Sequence, residues 1–141
     1  MLDIFEEFAT DPTLETKGTW FPMGKGTELL IARAGNRAFN KLLMKEVEAN
    51  KVVLDREDDE AEDLSDTIRA RVMARTVLLG WRTKTADGFR DALAYKGDVL
   101  VYSESNAEIV LQHKDFRNLV TEKSQQADAY KLKQEKDQGN G

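Results

Sequence analysis

Between residues 62 and 80 apolar side chains return at helical spacing, with Leu64, Ile68, Val72 and Leu79 on one side and Met73, Val77 and Leu78 widening the arc. An apolar arc this broad must be covered from several directions, so the rest of the chain has to wrap around one central helix. Arg69 and Thr76 mark the side expected to stay wet, Gly80 can end the helix, and Trp81 follows. The whole sequence of 141 residues is one domain's worth. A domain of that size buries roughly 68% of the surface its unfolded chain exposes, enough for a real core.

The flanking segments supply what could do the wrapping. Leu2, Phe5 and Phe8 recur three residues apart and suit one face of a short helical turn. Asp11-Pro12-Thr13 breaks it, because proline lacks a donor and restrains its neighbour, and a polar lead-in is expected up to residue 17. Residues 18–34 read as a β-hairpin: Trp20-Phe21 in the first strand, Pro22 where an edge or strand end tolerates it, a Gly24-Lys25-Gly26 turn, and Leu29 and Ile31 on one face of the return. Asn36 is a good N-cap for a helix over 37–49, whose stripe is Phe39, Leu42, Leu43 and Val47 with Lys41, Lys45 and Glu48 outside. Residues 55–66 crowd eight carboxylates against Arg56; such repulsion favours an exposed loop, and the acidic end leads into the helix N-terminus, where the backbone dipole welcomes negative charge.

Thr85-Ala86-Asp87-Gly88 carries a turn signal and residues 98–102 form a short apolar run, which together predict a second strand pair around 84–102. Ser105 and Glu108 match a capping box, Asp115 can cap a final helix, and Phe116, Leu119, Val120, Ala127 and Tyr130 continue it at helical spacing. Residues 131–141 are polar and end in Gly-Asn-Gly, a flexible tail by composition. The predicted fold class is α+β: a mostly helical single domain over 1–130 with an N-terminal hairpin.

Chemistry is scarce. Without cysteine there is no thiol nucleophile, disulfide or thiolate metal site, and a reducing cytosol is the expected home. His113 is the single histidine, no Gly-x-Ser-x-Gly exists, and a surface or capping role is expected for it. Gly24-Lys25-Gly26-Thr27 fails the phosphate-loop pattern, because glycine follows the lysine and no helix starts there. The acidic run fails the EF-hand pattern, since the sixth position from Asp55 is Glu60 where glycine is needed. No enzyme, cofactor or metal is expected. Nor is a signal peptide, because Met1 to Glu7 is acidic with no apolar run behind it, or a membrane span, which takes roughly 20 apolar residues. A net charge of −5 argues against general nucleic-acid binding.

Two features point to protein contacts instead. Arg71 and Arg75 lie one helical turn apart beside the apolar stripe; they can pair with nearby carboxylates or meet a partner, where arginine is enriched. Adjacent residues of a strand point to opposite faces, so one of Trp20 and Phe21 must turn away from the local core. Trp81, Phe89, Tyr95, Tyr102, Phe116 and Tyr130 are the other large anchors, most of them expected inside.

The order of segments resembles the tail assembly chaperones of long-tailed bacteriophages. The resemblance covers about residues 8–130 and rests on Trp20-Phe21, the run Ile31-Ala32-Arg33-Ala34-Gly35-Asn36, the helix with Phe39 and Leu42-Leu43, an acidic stretch, Ala74-Arg75-Thr76-Val77-Leu78-Leu79-Gly80-Trp81, Asp87-Gly88, Tyr102-Ser103 before a helix, and Asp115 to Val120 opening the last one. The segment 89–101 is longer than this pattern suggests. The resemblance implies a non-enzymatic assembly factor of the host cytoplasm, with the phage tape measure protein and tail tube protein as partners, self-association into a homo-oligomer, and neither nucleic acid nor membrane as a target. The candidate partner-contact residues are Trp20, Phe21, Arg71, Arg75, Trp81, Phe116 and Tyr130. The alternative is a structural subunit of the phage particle, a head–tail connector or tail completion protein.

Overall fold

The computed structural model describes residues 1–132. Two short helices lead: α1 (Ile4–Phe8), capped by Asp3, and α2 (Pro12–Lys17). The expected polar lead-in is thus helical. Pro12 occupies the first turn, where its missing N–H costs nothing, and the Asp11 carboxylate accepts from the Thr13 amide at 2.9 Å.

The predicted hairpin follows as β1 (Thr19–Pro22) and β2 (Thr27–Ile31). Gly24, Lys25 and Gly26 all have positive φ, which the turn requires and which a phosphate loop feeding a helix does not resemble. Pro22 closes β1, the sheet's outer strand, so its missing donor leaves no central ladder unpaired. Next come α3 (Arg37–Ala49), a single turn α4 (Lys51–Leu54), and α5 (Asp59–Thr76). Asn36 caps α3 as expected, its Oδ1 accepting from the Phe39 amide at 2.9 Å. The carboxylates expected in a loop mostly belong to α5. Asp58 caps it by accepting from the Ala61 amide at 2.8 Å, and Asp59, Glu60 and Glu62 fill its first turn, where the dipole offsets their repulsion.

The central helix stops earlier than its apolar periodicity suggests. β3 (Leu78–Thr85) begins after one linking residue, so Leu78, Leu79, Gly80 and Trp81 belong to a strand inside the sheet. A short apolar run fits both the helical and the strand period, and here pairing with β2 decides: Leu29 faces Trp81 and Leu30 faces Gly80 across the ladder. Thr76 is buried rather than wet. Its hydroxyl donates to the Val72 carbonyl at 2.7 Å, and its own carbonyl accepts from Asn36 Nδ2 at 3.0 Å.

β4 (Gly88–Arg90) completes an antiparallel sheet ordered β1-β2-β3-β4, and β5 (Ala92–Tyr95) pairs with β6 (Asp98–Val101) as the second strand pair. This hairpin occupies most of the segment that looked too long. α6 (Glu104–Leu111) is capped by Ser103, which accepts from the Asn106 amide at 3.0 Å, so Ser105 is not its cap. α7 (Lys114–Ser124) begins after His113, with Asp115 inside its first turn rather than capping it. It ends at Ser124, and Ala127 to Tyr130 form a separate 3-10 turn. The α+β class, the N-terminal hairpin and the second strand pair are all present.

The core lies between one sheet face and α5, α6 and α7: Phe21, Leu29, Ile31, Met73, Val77, Leu78, Trp81, Leu111, Val120 and Tyr130 join in one buried cluster. The 3-10 turn drives Tyr130 into it, where the hydroxyl donates to the Ile31 carbonyl at 2.8 Å. Lys131 bridges Thr10, and the Leu132 amide donates to the Ala9 carbonyl, so the start of the compositional tail is paired; residues 133–141 lie outside the described residues.

Candidate partner-binding groove

Helix α3 is amphipathic but buries none of its residues fully. Its stripe of Phe39, Leu43 and Val47 forms one wall of a groove of about 700 Å³. Ile68, Arg69 and Met73 of α5 form the facing wall, Leu54 of α4 closes one end, and Arg33 to Gly35 with Thr121, Ser124 and Gln125 close the other. A volume of this size accommodates several apolar side chains.

Polar contacts fasten α3 to its neighbours. Arg71 reaches from α5 to Glu46 on α3 and Glu108 on α6, both at 3.2 Å. Asn36 Nδ2 joins the start of α3 to the carbonyls of Arg33 and Thr76, at 2.9 and 3.0 Å. Phe39 and Leu43 are half-buried and Val47 is exposed, so the stripe is only partly covered and lines the groove. Among the described residues no carboxylate lines it, although the chain holds 26 acidic residues. Its charged lining residues are Arg33, paired with Glu15 at 3.7 Å, and Arg69, which is exposed and has no ion-pair partner among the described residues.

The residues proposed from sequence do not form one surface: Phe21, Trp81, Phe116 and Tyr130 meet in or against the core cluster, and Trp20, Arg71 and Arg75 lie outside it. Phe21, Trp81 and Tyr130 are buried at 7%, 0% and 0% exposure, and Phe116 packs partly buried against the same cluster. Phe21, Trp81 and Tyr130 are therefore core residues that the fold withholds from a partner: inner-face burial of a four-stranded sheet claims them first. Trp20 does turn to the opposite sheet face, where the Arg82 guanidinium lies 3.8 Å from its ring centroid and 4.0 Å from that of Phe89. Glu28 holds the same guanidinium at 2.6 Å. Arg75 pairs with Glu104 at 3.7 Å, so both arginines meet carboxylates. Sequence reasoning assigned Phe39, Leu43 and Val47 to packing and Arg69 to a wet face. The Arg71 and Asn36 contacts that fasten α3 span 25 and 40 residues, which periodicity does not encode.

His113 is exposed and shares a hydrogen bond with the Tyr95 hydroxyl at 2.6 Å. Burial, reinforced by the nearby negative charge of Glu104, pushes the Tyr102 hydroxyl up to about 12. Burial raises the Tyr130 hydroxyl as well, against the opposing pull of Arg33. Both donate to backbone carbonyls, Tyr102 to Leu78 and Tyr130 to Ile31, each at 2.8 Å. Among the described residues no group of three or more carboxylates and histidines is placed to hold a metal ion, and no helix is long and apolar enough to cross a membrane.

A protein-family model described as YdaY prophage protein matches residues 34–140, more than half of the chain. The chain belongs to the YdaY prophage protein family. Its phage origin follows from that membership. The match to the YdaY family starts at the groove's edge and takes in α3, α4, α5 and α7; Arg33 is the one lining residue outside it. No curated protein and no solved structure matches the chain.

Proposed function

We propose that this YdaY-family protein is a tail assembly chaperone: it binds the phage tape measure protein in the host cytoplasm, keeps it soluble, and promotes assembly of the tail tube protein around it, without catalysing a reaction. The observation carrying this reading is the apolar, carboxylate-free groove between α3 and α5 in an otherwise acidic protein. Grooves of this kind take an amphipathic helix by its apolar stripe, the i, i+3, i+4, i+7 mode of helix-in-groove recognition. A long, helical, apolar-striped client aggregates when alone, and covering its stripe with an acidic protein disperses it. Prophage family membership supports the setting, and the segment order that resembles tail assembly chaperones supports the specific task.

Co-expression tests it. The tape measure protein is expected to move from the pellet to the soluble fraction and to co-purify with this chain. Val47→Asp, at a position already 43% exposed, is expected to abolish co-purification while leaving the circular dichroism spectrum unchanged. A tape measure protein that stays in the pellet with the wild-type chain overturns the reading. Recovery of this chain from purified virions by mass spectrometry supports the head–tail connector or completion-protein alternative.

A further inference from the structure

The N-terminal segment gathers four exposed apolar side chains within seven residues. Leu2, Ile4, Phe5 and Phe8 are between 62% and 70% exposed, and α1 buries none of its residues. At helical spacing these four share one side of the segment, while Asp3, Glu6 and Glu7 share the other. A five-residue helix has no stability of its own in water, because nucleation is costly and few bonds repay it. A helix with two phenylalanines facing solvent gains its persistence from whatever covers them.

The groove offers the complementary surface. It is apolar along Phe39, Leu43 and Val47, includes Arg33 and Arg69 in its lining, and among the described residues is lined by no carboxylate. Residues 1–8 carry three carboxylates and no basic side chain. In its own copy the segment lies outside that groove, and the chain is pinned directly behind it: Ala9 and Thr10 pair with Leu132 and Lys131, and the Asp11 amide donates to the Tyr130 carbonyl at 2.8 Å.

We propose that residues 2–8 of one copy seat in the α3–α5 groove of a second copy, with Phe5 and Phe8 against the apolar wall and the acidic side toward Arg69. This rests on the groove being a protein-binding surface, as the chaperone reading has it. It adds that, without client, the groove is occupied by the chain itself, so self-association and client binding compete.

The test uses the full chain. Sedimentation velocity across a concentration series is expected to show reversible self-association, weakened at least about tenfold by Phe5→Asp combined with Phe8→Asp. Those side chains make no buried contact, so the variant keeps its fold, checked by circular dichroism. A photo-cross-linking phenylalanine analogue at position 5, in a mixture of isotopically light and heavy chains, is expected to give light–heavy cross-links on α3 or α5. Cross-links confined to one copy, cross-links elsewhere, or a wild-type chain that stays monomeric at all concentrations overturns the proposal. Solubilisation of the tape measure protein is scored separately. If the double variant solubilises it while the self-association results fail, the chaperone reading stands and this inference falls; if the wild type self-associates as described but leaves the client in the pellet, the reverse holds.

Discussion

Asn36 shows how much one side chain can settle. Its oxygen caps α3 through the Phe39 amide, while its nitrogen donates to the carbonyls of Arg33 and Thr76. The cap was legible, because asparagine before an apolar-periodic stretch has a mechanism. The bond to Thr76 was not, since the partner is 40 residues away, and it explains why a threonine on the supposedly wet side of α5 is buried. Asn36→Ala removes the cap and leaves the Thr76 carbonyl without this donor. The expected loss is about 2–3 kcal/mol, read from urea denaturation. Tyr102 gives a pH signature. Its hydroxyl is raised to about 12 in the folded protein against about 10 in the unfolded chain, so the folded state holds the proton more tightly. That contribution is complete below pH 10 and is lost as pH rises toward 12. Tyr102→Phe is expected to cost about 1 kcal/mol at pH 8, where the bond to the Leu78 carbonyl is lost, and to lose less further stability than wild type between pH 9 and 11. Equal losses in the two proteins would assign the alkaline instability elsewhere.

At the scale of elements, legibility followed local signals and failed at tertiary ones. The β1–β2 turn, the α3 cap and the Asp87-Gly88 turn were readable because glycine and asparagine carry backbone requirements in their own chemistry. The end of α5 was misplaced because Val77 to Trp81 satisfies both periods, and only the ladder with β2 distinguishes them. The candidate site was legible as a stripe and not as a groove: Phe39, Leu43 and Val47 stood out, but how fully such a stripe is covered depends on how the helix packs against α5. Arg71 fastens that packing, bridging α3, α5 and α6 through Glu46 and Glu108. These pairs are partly solvated, so Arg71→Ala is expected to cost only about 0.5–1 kcal/mol globally. Its larger effect belongs to α3. Amide hydrogen exchange in residues 41–49 should accelerate clearly more than in the buried turns of α5, whereas uniform acceleration would mean that Arg71 supports the whole fold instead of one helix.

On the scale of the molecule, the family match and the physical domain do not share a boundary. The match begins at residue 34, yet the core does not. Residues 18–32 contribute both outer-to-central strands β1 and β2, and with them Phe21, Leu29, Ile31 and Ala32 to the buried cluster or its rim. A fragment starting at Ala34 would leave the β2-facing edge of β3 unpaired, open Leu78 and Trp81 to water, and deprive the Tyr130 hydroxyl of its acceptor at Ile31. Burial of Phe21, Leu29 and Ile31 alone is worth about 1.5–3 kcal/mol each, or on the order of 4.5–9 kcal/mol together. That is comparable to the entire stability of an ordinary domain, about 5–15 kcal/mol. The fragment 34–141 is therefore expected to show no cooperative urea transition, whereas a chain starting at Ala9 keeps the hairpin and the pairings at Ala9, Thr10 and Asp11 and should unfold as cooperatively as the full protein. A cooperative transition in 34–141 would mean that the matched segment carries a self-sufficient core and that the hairpin is an addition to it. Failure of both chains would instead place essential contacts in the first eight residues, contrary to their exposure.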